Sequence, residues 1–194
     1  AVDILLVGRL EPRKGVDVLL DAAAPLLVEF PELTVTLAGD DSQRDESGRT
    51  YADGLVDLVP DADTRRRVRF AGKVDDAELA RRYEACDIVV VPSRYESFGL
   101  TAVEGMMRSK PVVASAVGGL VDIVEDGESG LLVSPPTSAD SLRSALRRLI
   151  GDPGLRRRMG DHGRELADLR YSREAMAAGA EAHYLRLVDR RPRR

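Results

Sequence analysis

The sequence predicts an α/β fold: a doubly wound, Rossmann-like parallel sheet of about six strands, with helices on both faces and a C-terminal helical extension. Three observations carry this. Short β-branched apolar runs recur, each bounded by Gly, Pro or Asp. Segments with apolar residues at helical spacing separate them. The runs are continuously apolar rather than alternating, as strands covered on both faces are.

In chain order, Val2–Val7 reads as the first strand. Val16–Phe30 follows as a helical pattern containing Pro25, where the missing N–H and the ring clash predict a kink or a break. Leu33–Ala38 is the second strand, and the polar, Gly-containing stretch Asp40–Thr50 reads as a mobile loop. Val68–Ala71 is the third. Asp75-Asp76-Ala77-Glu78 opens a helix with a carboxylate cap and a Glu three residues on, with Leu79, Tyr83 and Cys86 along one face. Ile88–Val91, Val112–Ser115 and Gly130–Val133 are the remaining strands. Ser138 caps a helix whose Leu142, Leu146, Leu149 and Ile150 keep helical spacing until Gly151-Asp152-Pro153 stops it. Beyond Pro153 the alternation ceases, and Leu155–Leu169 and Ser172–Val188 read as helices that dock on the sheet or cross to a neighbour. Residues 1–152 are thus expected to form the Rossmann-like domain, with 153–194 packing on it as the same structural unit.

A chain of 194 residues supplies one well-cored domain. Its 43% hydrophobic and 32% charged residues are those of a soluble protein, and no apolar run approaches the roughly twenty residues of a membrane span. A cytoplasmic location is expected. The net charge of −4 argues against nucleic-acid binding, which needs a cationic surface. The runs Arg65-Arg66-Arg67, Arg156-Arg157-Arg158 and Arg190-Arg191-Pro192-Arg193-Arg194 read as solvated helix faces and a frayed tail, with contact to acidic lipid or nucleic acid as the alternative. The single Cys86 excludes an internal disulfide and reads as a small buried hydrophobe. The chain opens at Ala1 directly into a strand, without an initiator Met or a signal segment, and reads as a piece of something longer.

In doubly wound sheets the ligand lies at the carboxyl ends of the strands. Three polar clusters follow strands immediately: Gly8-Arg9 with Lys14, Gly39-Asp40-Asp41, and Ser93–Glu104. In the last, Glu96 and Glu104 bracket a turn, with the small Gly99 where the backbone comes close to something. Free backbone N–H groups at a helix start attract an anion. Carboxylates accept hydrogen bonds from hydroxyls. The pattern therefore suits a ligand carrying both phosphate and hydroxyl groups, with the two acids meeting different parts of it. A general acid/base pair, or a solvent-facing Glu104 beside an ordinary turn glycine, are the alternatives. Arg9 and Lys14 flank Leu10-Glu11-Pro12-Arg13 just before Gly15 and a helix, where two cations neutralise a diphosphate and stabilise charge developing on it as it leaves. They read equally as solvated loop cations, one paired with Glu11.

Asp61-Ala62-Asp63 matches a short acidic pattern that holds metals in other folds, but after Pro60 and before Thr64 it is better explained as a helix cap or turn. No metal site is expected. His162 and His183 stand isolated in helical segments and read as structural. The sequence carries no GxSxG serine and no GxGxxG after the first strand.

Val7-Gly8-Arg9-Leu10 with Lys14-Gly15, Arg69-Phe70-Ala71-Gly72, Ala85-Cys86-Asp87 through Pro92-Ser93, Glu96–Glu104, Pro111-Val112-Val113-Ala114-Ser115, and Gly118-Gly119 to Asp126-Gly127-Glu128-Ser129-Gly130 together resemble family 4 glycosyltransferases. These are retaining enzymes of the two-domain GT-B architecture, and the resemblance covers only their C-terminal, donor-binding half. It implies that Arg9 and Lys14, beside Gly8, meet the donor diphosphate. The backbone of Phe98, Gly99 and Leu100, next to Ser97, would meet phosphate and sugar. Glu96 would take the sugar hydroxyls, Glu104 the ribose, and Gly72-Lys73-Val74 the nucleobase. Arg9, Lys14 and Glu96 would then be the catalytic set.

The implied donor is a UDP-, GDP- or ADP-sugar, used without a metal or other cofactor, and the hexosyl group passes to an acceptor hydroxyl with retained configuration. The family's N-terminal domain, with its Gly-rich loop and acceptor pocket, has no counterpart here. The chain alone is therefore expected to bind nucleotide weakly and transfer nothing, and peripheral membrane contact is left to the full enzyme. A stand-alone nucleotide-sugar-binding or regulatory module is the alternative. A sugar-nucleotide epimerase fits less well, since neither histidine is near the motifs.

Overall fold

The computed structural model describes residues 1–41, 44, 46–55, 58–59 and 61–189. Pro60 and the arginine tail from Arg190 onward lie outside the described residues. Six apolar runs form one sheet: β1 (Val2–Val7), β2 (Leu33–Ala38), β3 (Val68–Gly72), β4 (Ile88–Val91), β5 (Val112–Ser115) and β6 (Gly130–Val133). Their order in space is β3-β2-β1-β4-β5-β6, with every pairing parallel. The doubly wound fold expected from the sequence is the one observed. β1 and β4 are neighbours at its centre, so the winding reverses between them and a crevice opens above their carboxyl ends. Ile4 lies opposite Ile88 and Leu5 opposite Val89, a register that brings the loops leaving Val7 and Val91 side by side.

The helices are α1 (Val16–Glu29), α2 (Tyr51–Leu55), α3 (Ala62–Arg65), α4 (Asp76–Ala85), α5 (Leu100–Met106), α6 (Leu120–Ile123), α7 (Ala139–Gly151), α8 (Pro153–Tyr171) and α9 (Arg173–Asp189). Successive strand residues point to opposite faces. Ile4, Leu6, Ile88 and Val90 accordingly pack under Leu19 and Leu20 of α1 and Leu142, Leu146 and Leu149 of α7. Leu5, Val89 and Val91 face Tyr83 of α4, Ala102 and Met106 of α5, and Leu166 of α8. Each fully buried leucine among them contributes about 1.5–3 kcal/mol.

Caps set the helix ends. The Asp75 carboxylate accepts from the Glu78 N–H, Ser138 from Ser141 and Asp152 from Leu155. Asp61 likewise caps α3, accepting from Asp63 and Thr64. Of the kink or break expected at Pro25, the break does not occur: α1 runs as one helix from Val16 to Glu29 with Pro25 inside it. Leu26 and Leu27, directly after the proline, are completely buried. Their burial outweighs the roughly 3 kcal/mol a mid-helix proline costs.

Arg65, Arg66, Arg157 and Arg158 are exposed, as the solvated-face reading expects, and one half-buried arginine of each run departs from it. Arg67 donates to the carbonyls of Leu27 (2.6 Å) and Phe30 (3.1 Å) at the end of α1, and Arg156 to those of Leu149 (2.7 Å) and Ile150 (3.0 Å) at the end of α7. Cations are favoured where a helix leaves its last carbonyls unpaired. α8 is fastened by Arg170 and His162, which reach Glu125 at 2.7 and 3.1 Å. Among the described residues no helix is long and apolar enough to cross a membrane.

Cys86 is 1% exposed, and burial pushes its thiol up to about 12. The thiolate is the reactive form. At pH 8 the native chain should react with an aromatic disulfide reagent at least about 100-fold more slowly than the urea-unfolded chain. Comparable rates would place Cys86 at the surface.

Candidate functional site

The loop leaving β1 is shaped by close backbone contacts. Gly8 donates its N–H to Ala38 O at 3.0 Å, and a Cβ on Gly39 would lie 1.8 Å from Gly8 O, so the loops after β1 and β2 touch main chain to main chain. A 3-10 turn over Pro12–Lys14 then delivers the chain to Gly15, whose left-handed φ of 66° starts α1. A Cβ there would fall 1.9 Å from Pro92 O. Glycine thus lets the first loop lie directly against the start of the loop after β4.

Arg94 clamps the two loops together. Its N–H donates to Arg13 O (2.9 Å), and its guanidinium forks onto both oxygens of Asp17 in α1 (2.9 and 2.6 Å) and also reaches the Pro12 carbonyl. Burial raises the Asp17 pKa, but the Arg94 fork, its charge and the Tyr51 hydroxyl outweigh it and hold the carboxyl below its ordinary range. A lowered folded-state pKa means that this clamp stabilises above the ordinary aspartate range and is lost as pH falls through the lowered value.

The clamp brings Lys14 and Glu96 into contact. Lys14 Nζ lies 2.7 Å from Glu96 Oε2, with side chains only 16% and 14% exposed. Ser93, fully buried, donates to the same oxygen at 3.4 Å. Oε1 of Glu96 has no partner among the described residues. Arg9 is 59% exposed and 3.5 Å from Glu11, which also binds Arg13 at 2.8 Å. The pairing with Glu11 considered from the sequence is therefore present, and it engages Arg9 loosely.

Beyond Glu96 the chain turns on a floor of glycines. A Cβ on Gly118 would meet Glu96 O at 1.9 Å and one on Gly119 would meet Phe98 O at 2.4 Å; Gly119 N–H donates to Glu96 O at 3.1 Å. Gly99, at φ 108°, leads into α5, whose start no side chain caps. The N–H groups of Phe98, Gly99 and Leu100 donate to no other described group. Phe98 and Leu100 are exposed, and the Phe98 ring meets the Tyr171 ring edge-on at 5.9 Å. Ser97 is exposed beside them, and Val74, half-buried after β3, packs on the core at the same sheet edge. Glu104, in α5, accepts a hydrogen bond from the Tyr83 hydroxyl at 2.7 Å.

The structure thus gathers Gly8, Lys14, Glu96, Ser97, Phe98, Gly99 and Leu100 around the switch between β1 and β4, with Arg9 at its outer side. Lys14, expected at the diphosphate, and Glu96, expected at the sugar hydroxyls, are themselves an ion pair. Sequence reasoning missed the Arg94–Asp17 clamp, which spans 77 residues. It also passed over Gly118-Gly119 as a floor and Tyr83 as a partner of Glu104. Tyr83 carried a readable signal, because a hydroxyl on a buried helix stripe needs a partner. Among the described residues no group of three His, Cys, Asp or Glu is placed to hold a metal.

The family model for glycosyl transferases group 1 matches residues 2–166. A D-inositol 3-phosphate glycosyltransferase of Kineococcus radiotolerans is 44% identical over 169 residues, which are 81% of this chain and 38% of that protein. The chain spans less than half the length of the curated relatives it matches. The C-terminal domain of a glycosyl transferase group 1 family protein (LpcC) from Francisella tularensis superposes with a TM-score of 0.80 at 31% identity, covering 89% of this chain and 87% of that one. HepE from Anabaena, solved in complex with UDP-glucose, superposes at 0.78 with 28% identity over 93% of this chain and 48% of its own. With its strand order, its loop motifs and nearly its whole length inside the matched pattern, this chain belongs to the group 1 glycosyl transferases, as a C-terminal domain of their GT-B architecture.

Proposed function

We propose that this chain is the donor-binding half of a retaining glycosyltransferase that takes a hexosyl group from UDP-sugar to an acceptor hydroxyl. The observation that carries this reading is the half-buried Lys14–Glu96 contact at the sheet's switch point, beside the open N–H groups of Phe98, Gly99 and Leu100. An ammonium and a carboxylate side by side there can serve a diphosphate and the sugar attached to it at once. The UDP-glucose complex of HepE supports uridine as the base.

In this reading Arg9 and Lys14 balance the charge that grows on the diphosphate as the glycosidic bond breaks, a contribution that increases toward the transition state. The three N–H groups and Ser97 hold phosphate and sugar oxygens. Oε1 of Glu96 accepts from sugar hydroxyls, Glu104 accepts from the ribose, and Gly8 and Val74 lie along the diphosphate and the base. Residues 153–194 belong to the same unit as 1–152, and the acceptor site belongs to a second, N-terminal domain of the whole protein.

Calorimetric titration with UDP, GDP and ADP, each with and without an attached hexose, tests this. Weak binding that favours UDP and UDP-sugar, with no sugar transfer by the purified chain, is expected. Equal binding of all three diphosphates would remove the uridine assignment. Transfer by the chain alone would remove its description as half an enzyme.

A further inference from the structure

Tyr83 is 1% exposed, yet its hydroxyl does not turn to a backbone carbonyl of its own helix. It crosses from α4 to α5 and donates to Glu104 Oε2 at 2.7 Å. The guanidinium carbon of Arg108 lies 5.0 Å from the Tyr83 ring centroid, and Arg108 donates to Glu104 O at 3.1 Å. The ring is thereby held between the core and a cation that is itself tied to α5. Burial, reinforced by the Glu104 charge, pushes the phenol pKa far upward, so the hydroxyl remains a donor throughout the working pH range. Glu104 Oε1 has no partner among the described residues.

A carboxylate with one oxygen held by a fixed donor loses rotation about its terminal torsion, which is otherwise broad. It then offers its second oxygen in a single direction, so less is lost when a ligand hydroxyl binds there. We propose that Tyr83 is a positioning residue for donor recognition, occupying Oε2 of Glu104 and aiming Oε1 at the ribose hydroxyls. This rests on the reading that Glu104 holds the ribose. Tyr83 makes no contact with the ligand and acts through Glu104.

The test is the ratio of affinities for UDP and 2′,3′-dideoxy-UDP, measured by calorimetry on the chain and on its Y83F, E104A and Y83F/E104A variants. Both ligands are titrated into the same preparation, so a reduced folded fraction cancels from the ratio. The unaltered chain should prefer UDP by about 20-fold, the scale of a hydrogen bond to a charged group. Tyr83→Phe should cut the preference about fivefold, and Glu104→Ala should nearly abolish it. In the double variant, Tyr83→Phe should add nothing to the Glu104→Ala effect, because coupled residues are not additive. An unchanged ratio in Tyr83→Phe with a collapsed ratio in Glu104→Ala overturns the role of Tyr83 and leaves the ribose reading standing. An unchanged ratio in Glu104→Ala overturns the ribose reading itself, and Tyr83's role with it.

Discussion

Replacing Lys14 with alanine should weaken UDP binding by about 30-fold or more while leaving uridine binding within about twofold. Two effects act in the same direction. The substitution removes an ammonium from beside the diphosphate, and it frees Glu96, which Lys14 neutralises at 2.7 Å in a mostly buried setting. The unpaired carboxylate would then repel the phosphates that Lys14 attracted. A second variant separates the two. Lys14→Ala with Glu96→Gln removes the stranded charge and should recover part of the UDP affinity, by about threefold to tenfold, without restoring it fully. Parallel losses for UDP and uridine in Lys14→Ala would show a general folding defect and remove Lys14 from the diphosphate site.

The largest stability effect is expected at Gly15. Alanine there must adopt φ 66°, and its Cβ would stand 1.9 Å from Pro92 O, a main-chain atom that cannot swing aside as a flexible side chain would. The two loops that carry Lys14 and Glu96 would have to part. A loss of more than about 3 kcal/mol is expected, read as a fall of about 10 °C in the thermal midpoint. Gly127 is the control, with φ 82° and no atom within 4 Å of where an alanine methyl would stand. Gly127→Ala should cost only the left-handed backbone penalty of about 1–2 kcal/mol. Equal losses in urea denaturation at the two positions would show that backbone conformation, and not loop-to-loop contact, makes Gly15 necessary.

Much of this architecture was legible because its causes are local. Val2–Val7, Leu33–Ala38 and the four later strands stand at the sequence-derived positions, with β3 one residue longer, because a strand buried on both faces must be apolar throughout. Ser138 and Asp75 cap the helices they were expected to cap, since the capping oxygen and its N–H lie three residues apart. Pro25 shows where local reasoning stops. The proline penalty was readable, but the burial of Leu26 and Leu27 between sheet and helices is a sum over partners far away in the chain.

The same division runs through the site. The sequence alone determined which loops reach the carboxyl edge, which side chains they carry, and that Gly99 precedes a helix start, because strand direction and turn chemistry follow from neighbouring residues. Only the tertiary structure decided that Lys14 and Glu96, 82 residues apart, form one half-buried pair, that Arg94 and Asp17 clamp their loops, and that Tyr83 engages Glu104. Those contacts arise where β1 meets β4 and where α4 meets α5 on one face. Such adjacency is set by the order in which strands pack, which no single stretch of sequence encodes.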